Sequence, residues 1–161
     1  MSKDVLFLAT CFPHDDEMKR RVGEHKKNRP EDWKTIEEEK DILPILKGCK
    51  SDVIIIDCLT LLVSNLLLAG DDVEGAIKEV AEFLKEAKWT AIIVSNEVGC
   101  GIVPENELAR KFRDIAGWAN KLLARYADEV YFMVSGIPMK IKEEPQRTQR
   151  KNHKGHEENF K

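Results

Sequence analysis

The stretch Ala91-Ile92-Ile93-Val94-Ser95-Asn96-Glu97-Val98-Gly99-Cys100-Gly101-Ile102-Val103-Pro104 decides the reading of the fold. Four consecutive apolar residues predict a buried strand, and the polar residues after Val94 emerge at its carboxyl end. In an open α/β sheet that end is where ligands bind. Gly99 and Gly101 let the backbone turn sharply and approach a ligand closely. Pro104 suits the entry to a following helix, with Glu105 and Glu107 near its positive end. Arg110, Arg113 and Asp114 then recur at helical spacing on a segment that runs to Asn120. An ordinary strand–loop–helix connection accounts for the glycines and the proline. It accounts less well for Asn96, Glu97, Arg110, Arg113 and Asp114 crowding one end of the sheet.

Outward from this stretch, strands alternate with helices. Val53-Ile54-Ile55-Ile56-Asp57 is a continuous β-branched run, the pattern of a strand buried on both faces. Val5-Leu6-Phe7-Leu8-Ala9-Thr10 is a second apolar strand, and residues 15–27 follow as a helix with Asp15, Asp16 and Glu17 in its first turn. Arg29-Pro30 breaks that helix, and Trp33 anchors the return of the chain. Thr35-Ile36 reads as a short extended piece, residues 42–46 as a helix, and residues 61–68 as an apolar helix ended by Gly70. Residues 72–88 are amphipathic, with Val73, Ile77, Val80 and Leu84 on one stripe. A helix to about Ala127 and a strand over residues 130–134 complete the domain. The alternation predicts an α/β fold with a mostly parallel sheet and helices on both faces, in one domain over residues 1–142.

The composition narrows the functional classes. A chain of 161 residues is long enough for one real core. A formal net charge of -3 gives no global attraction to nucleic acid or to an anionic membrane. No apolar run approaches the roughly 20 residues that span a bilayer, and no signal-peptide pattern opens the chain. Cys11, Cys49, Cys58 and Cys100 form no CxxC pair and sit beside apolar strands, which predicts buried free thiols in a reducing cytoplasm. Residues 143–161 are polar with one large apolar residue, Phe160, and predict a disordered tail. Within it, His153 and His156 read as solvated rather than as a metal pair.

Two residues carry candidate chemistry. Asp57 ends an apolar strand, the pattern of an acid that holds a magnesium–nucleotide complex, though a strand-end Asp also caps helices. His25 lies on a helix whose face includes Met18 and Val22, so a packed boundary histidine is one reading. Lys26, Lys27 and Arg29 follow at once and supply positive charge for phosphate oxygens, and a neutral imidazole is a competent nucleophile. His14 beside Asp15, Asp16 and Glu17 fans around a helix start and does not converge on an ion. Trp33, Trp89 and Trp118 read as packing residues.

Taken together, these segments resemble the bifunctional adenosylcobinamide kinase/adenosylcobinamide-phosphate guanylyltransferase family of cobalamin biosynthesis. The matching pieces run in family order: Leu8-Ala9-Thr10, Asp15-Asp16-Glu17-Met18, then His25, Arg29-Pro30, Trp33 and Thr35-Ile36-Glu37-Glu38. Asp57-Cys58-Leu59-Thr60, Ser64-Asn65-Leu66-Leu67, Asn96-Glu97-Val98-Gly99 and Ile102-Val103-Pro104 follow. Phe112-Arg113-Asp114, Gly117, Asn120, Ala127-Asp128 and Val134-Ser135-Gly136-Ile137-Pro138 complete a match over residues 5–142.

The resemblance implies a cytoplasmic RecA-like P-loop NTPase, assembled as a homotrimer. Such an enzyme phosphorylates adenosylcobinamide with GTP or ATP and Mg2+. It then moves GMP from GTP, through a histidine–GMP intermediate, onto adenosylcobinamide phosphate. His25 stands at the position of that catalytic histidine. Ala9, Thr10, Cys11, Lys26, Lys27, Asn28, Arg29, Glu37 and Asp57 stand where the family lines its nucleotide site, Asp57 also near the metal.

One element of the family pattern is missing from this sequence. None of its nine glycines forms GxxxxGK[ST], the loop whose amides and lysine cradle a triphosphate. The expectation is therefore a chain without the family's first strand and P-loop, with weakened triphosphate binding. The alternative is a catalytically impaired homologue that binds nucleotide, corrinoid or a partner chain only.

Overall fold

A computed structural model describes residues 4–13 and 15–142. His14 and the tail with His153 and His156 lie outside the described residues. The chain divides into two units, Met1–Arg125 and Tyr126–Lys161.

The first unit is built on β1 (Val5–Ala9), β2 (Lys34–Glu37), β3 (Val53–Asp57) and β4 (Thr90–Val94). They form one parallel sheet in the order β2-β1-β3-β4. Between and after them run α1 (Asp16–Lys27), α2 (Leu43–Lys47), α3 (Leu59–Ala69), α4 (Val73–Glu86) and α5 (Glu107–Tyr126). The mostly parallel α/β sheet expected from the alternating pattern is the fold observed.

Strand pairing puts Leu6 level with Ile54 and Leu8 level with Ile56, so these four share one face of the sheet. They belong to a core with Ile42, Leu46, Leu62, Val63, Ile77, Val80, Ala116 and Ala119 from the helices. Leu8 and Ile54 are fully buried, each contributing about 1.5–3 kcal/mol of hydrophobic stabilisation. The other face carries Phe7, level with Ile55. Trp33 stacks on Phe7 with ring centroids 6.3 Å apart, and the Arg29 guanidinium sits 3.7 Å from its centroid. Trp33 thus anchors the chain after α1, as its position suggests.

Local signals set the helix ends. Asp15 caps α1 by accepting from the Met18 amide at 2.7 Å, and Asp72 caps α4 by accepting from the Gly75 amide at 3.0 Å. Gly70 closes α3 in the left-handed conformation with φ 77, open to glycine without strain. α5 does not start at Pro104. Asn106 caps it, its side-chain oxygen accepting from the Ala109 amide at 3.0 Å.

Three expectations are corrected. β4 is not a buried strand: it forms one edge of the four-stranded sheet, and Ile92 and Val94 on the Phe7 face are 46% and 43% exposed. Residues 130–134 pair antiparallel rather than parallel. In the second unit, β5 (Val130–Val134) pairs antiparallel with β6 (Ile137–Lys142) as a separate two-stranded sheet. Ser135 and Gly136 form the two-residue turn, with φ 51 and 80, the positive angles that suit a tight hairpin. The cysteines are free, but only Cys58 is buried, and Cys100 is exposed on the loop between β4 and α5.

Candidate active site

The register of a parallel sheet brings its carboxyl ends to one level. Ala9 is level with both Glu37 and Asp57, and Asp57 is level with Val94. Thr10, Asp57 and Asn96 therefore lie along a single edge of the sheet. Among the residues singled out from the sequence, Ala9, Thr10, Cys11, Glu37 and Asp57 are brought together here.

Side chains stitch this edge together strand by strand. Between β2 and β1, the Glu38 amide donates to the Ala9 carbonyl at 3.0 Å. Asn65 of α3 donates to the Thr10 carbonyl at 2.8 Å and to the Glu39 carbonyl at 2.9 Å. Between β1 and β3, the fully buried Thr10 hydroxyl donates to the Cys58 carbonyl at 2.7 Å and accepts from the Cys58 amide at 2.8 Å. Between α3 and β4, Thr60 Oγ1 accepts from the Asn96 amide at 2.7 Å and lies 3.3 Å from Ser95 Oγ. Ser95 Oγ donates to Asn120 Oδ1 at 2.7 Å, which extends the chain of bonds to α5.

The crowding of polar residues after β4 has a structural explanation in part. The Gly99 amide donates to Glu97 Oε1 at 2.6 Å. Arg113 donates to the Gly99 carbonyl, and Arg110 to the Pro104 and Glu105 carbonyls. Arg110 and Arg113 therefore hold the 95–106 loop against α5. Asp114 is exposed.

Around the edge, the charged candidates divide. His25, Lys26 and Lys27 occupy the last turn of α1, which buries no residue, and all three are exposed. Lys26 pairs with Glu37 at the tip of β2, which joins the end of α1 to the sheet edge. Asn28 ends α1, its amide donating to the Glu24 carbonyl at 3.2 Å. Arg29 turns under the sheet to Phe7, and its Nη1 is buried with no hydrogen-bond partner among the described residues.

Titration behaviour separates possible nucleophiles. Burial pushes the Cys11 thiol up, with the charges of Cys58, Asp57 and Glu37 adding to it. Burial also raises the Cys58 thiol, against hydrogen bonds from the Leu61 amide and Thr60. Neither sulfur is activated as a thiolate by its surroundings. Backbone amides of Lys40 and Asp41, each donating to Glu38 Oε1 at 3.0 Å, hold the Glu38 carboxyl below its ordinary range.

Asp57 is half-buried, and its carboxylate has no hydrogen-bond or ion-pair partner among the described residues. A lone carboxylate at a strand tip suits Mg2+, which takes one or two carboxylates together with substrate phosphates. Among the described residues no group of three or more His, Cys, Asp and Glu converges to hold a metal without such a substrate.

A parallel sheet with its polar side chains gathered at one carboxyl edge defines an open α/β protein, a class in which ligands bind at that edge. The comparisons supply the family. The model of the cobinamide kinase / cobinamide phosphate guanyltransferase family matches residues 1–141. The chain is 43% identical over 155 residues to the bifunctional adenosylcobalamin biosynthesis protein CobU of Salmonella typhimurium, covering 86% of each chain. It is 39% identical over 145 residues to the CobP protein of the same description from Pseudomonas aeruginosa, covering 88% of this chain and 84% of the relative. Escherichia coli CobU is 37% identical over 158 residues, covering 88% and 87%. The chain belongs to the cobinamide kinase / cobinamide phosphate guanyltransferase family. Among the described residues no helix is long and apolar enough to cross a membrane.

Three further edge residues, quoted among the matching family pieces, had no role at this edge read for them from the sequence. Asn65, Thr60 and Asn120 act over 55, 36 and 25 positions respectively, and no local pattern announces such pairings.

Proposed function

We propose that this protein phosphorylates the hydroxyl of adenosylcobinamide from a nucleoside triphosphate and then converts the product to adenosylcobinamide-GDP. The acceptors are adenosylcobinamide and adenosylcobinamide phosphate, the donors GTP or ATP, and the compartment the cytoplasm, with the chain assembled as a homotrimer. The observation that carries this reading is the exposed His25 on the last turn of α1, beside exposed Lys26 and Lys27, with Lys26 paired to Glu37 at the strand tips.

In the guanylyl transfer, a ring nitrogen of neutral His25 attacks the α-phosphorus of GTP. The P–N bond forms as the bond to the β-phosphate oxygen breaks, and pyrophosphate leaves with the electron pair. The negative end of α1 stabilises the positive charge that develops on the imidazole. Lys26 and Lys27 hold phosphate oxygens and Cys11 and Asn28 line the nucleotide, while the buried Ala9 and Thr10, and Arg29 packed on Phe7, support the site from beneath. A phosphate oxygen of adenosylcobinamide phosphate then attacks the same phosphorus, and the P–N electrons return to the ring. Asp57 is the residue that would hold Mg2+, which when bound neutralises phosphate charge.

A second reading rests on one observation: the 161 residues contain no GxxxxGK[ST]. On that reading the chain binds nucleotide, corrinoid or a partner without turnover. Supplying adenosylcobinamide, GTP and Mg2+ and separating the corrinoid products distinguishes the two. The first predicts adenosylcobinamide-GDP from the parent, and adenosylcobinamide phosphate alone from His25→Ala. GTP binding with neither product supports the second, and guanylylated product at the parental rate from His25→Ala removes the histidine from the mechanism.

A further inference from the structure

We infer that Asn65 is a positioning residue for the nucleotide site, an assignment that rests on reading the strand tips as that site. Its amide nitrogen donates to the Thr10 carbonyl at 2.8 Å and to the Glu39 carbonyl at 2.9 Å. These carbonyls belong to different loops. Thr10 begins the exit from β1, between Ala9 and Cys11, and Glu39 lies two residues beyond Glu37 on the exit from β2. The Glu38 amide to the Ala9 carbonyl is the backbone link between these exits, at 3.0 Å. Asn65 is thus a strut from α3 that sets the spacing of the two loops carrying Ala9, Thr10, Cys11 and Glu37. Through Glu37 that spacing also reaches Lys26, next to His25.

A clamp with no role beyond stability would use the same bonds, so the test separates the two. Asn65→Asp is nearly isosteric, but a carboxylate cannot donate and sets negative oxygens against two carbonyls. The loops are driven apart while the core is untouched. Misplacement of site groups by about 1 Å is enough to cost orders of magnitude in function. Val63→Ala on the same helix serves as the control, because Val63 is fully buried in the core and loses only packing.

The measurement is titration of each full-length chain with a fluorescent N-methylanthraniloyl derivative of GTP, beside its melting curve. Asn65→Asp is expected to weaken binding at least about tenfold. Val63→Ala, melting as low or lower, should stay within about twofold of the parent. Asn65→Gln, which keeps both donors on a longer arm, should recover part of the loss. Equal affinities for parent and Asn65→Asp overturn the assignment and leave the nucleotide site standing, as does an equal loss in Val63→Ala. A parent chain that binds no nucleotide overturns both.

Discussion

Replacing Thr10 by valine tests the edge network at its most buried point. Thr10 is fully buried, and Cys58, which it bonds twice, is only 6% exposed. Valine fills the same volume but removes the hydroxyl that donates to the Cys58 carbonyl and accepts from the Cys58 amide. Each backbone group left unsatisfied costs about 1–3 kcal/mol, so the pair should cost roughly 2–6 kcal/mol. That is a large part of a typical stability of about 5–15 kcal/mol. Thr10→Ser keeps both bonds and loses one methyl group, for about 1 kcal/mol. Urea unfolding of the three chains, with the slope checked for constancy, reads the differences directly. A Thr10→Val midpoint equivalent to the parent's within about 0.5 kcal/mol, or a serine variant as weak as the valine, would refute the reasoning.

The depressed Glu38 carboxyl makes stability depend on acid in a defined direction. A folded-state value below the ordinary one gives a contribution that is present above the unfolded carboxyl range and lost as the pH falls through the folded value. Glu38→Gln should therefore flatten part of the acid limb of the melting curve below about pH 4.5, and an unchanged limb would show that the two amide bonds matter little. Among the thiols, Cys100 is exposed and Cys58 buried, with burial raising both Cys58 and Cys11. Brief alkylation at neutral pH should label Cys100 before either, as read by peptide mass spectrometry, and prior labelling of Cys58 would contradict the described packing.

Much of the sheet was legible because its signal is local. The Val53–Asp57 and Val5–Ala9 runs are apolar and continuous, and the parallel register then necessarily aligns Glu37, Ala9 and Asp57 at one edge. The apolar run in β4 reads the same, yet an apolar run does not state how many neighbours a strand has, and among the described residues β4 has one. The hairpin at Ser135-Gly136 carried a turn signal, a small polar residue before glycine, that the expectation of a further parallel strand overrode. Asp57 at a strand tip was readable from its place after the apolar run. Asn65 was not, because its partners Thr10 and Glu39 become neighbours only once α3 packs over the strand ends.

The central claim is that His25 carries GMP between GTP and the corrinoid phosphate. Incubation of the chain with GTP labelled at the α-phosphate, followed by alkaline work-up and peptide mapping, tests it most directly, since a phosphoramidate survives alkali and is lost in acid. The account predicts a single acid-labile label on the peptide that contains His25, absent from His25→Ala and discharged by adenosylcobinamide phosphate. Label on another residue, or labelling of His25→Ala as strong as the parent's, would contradict it.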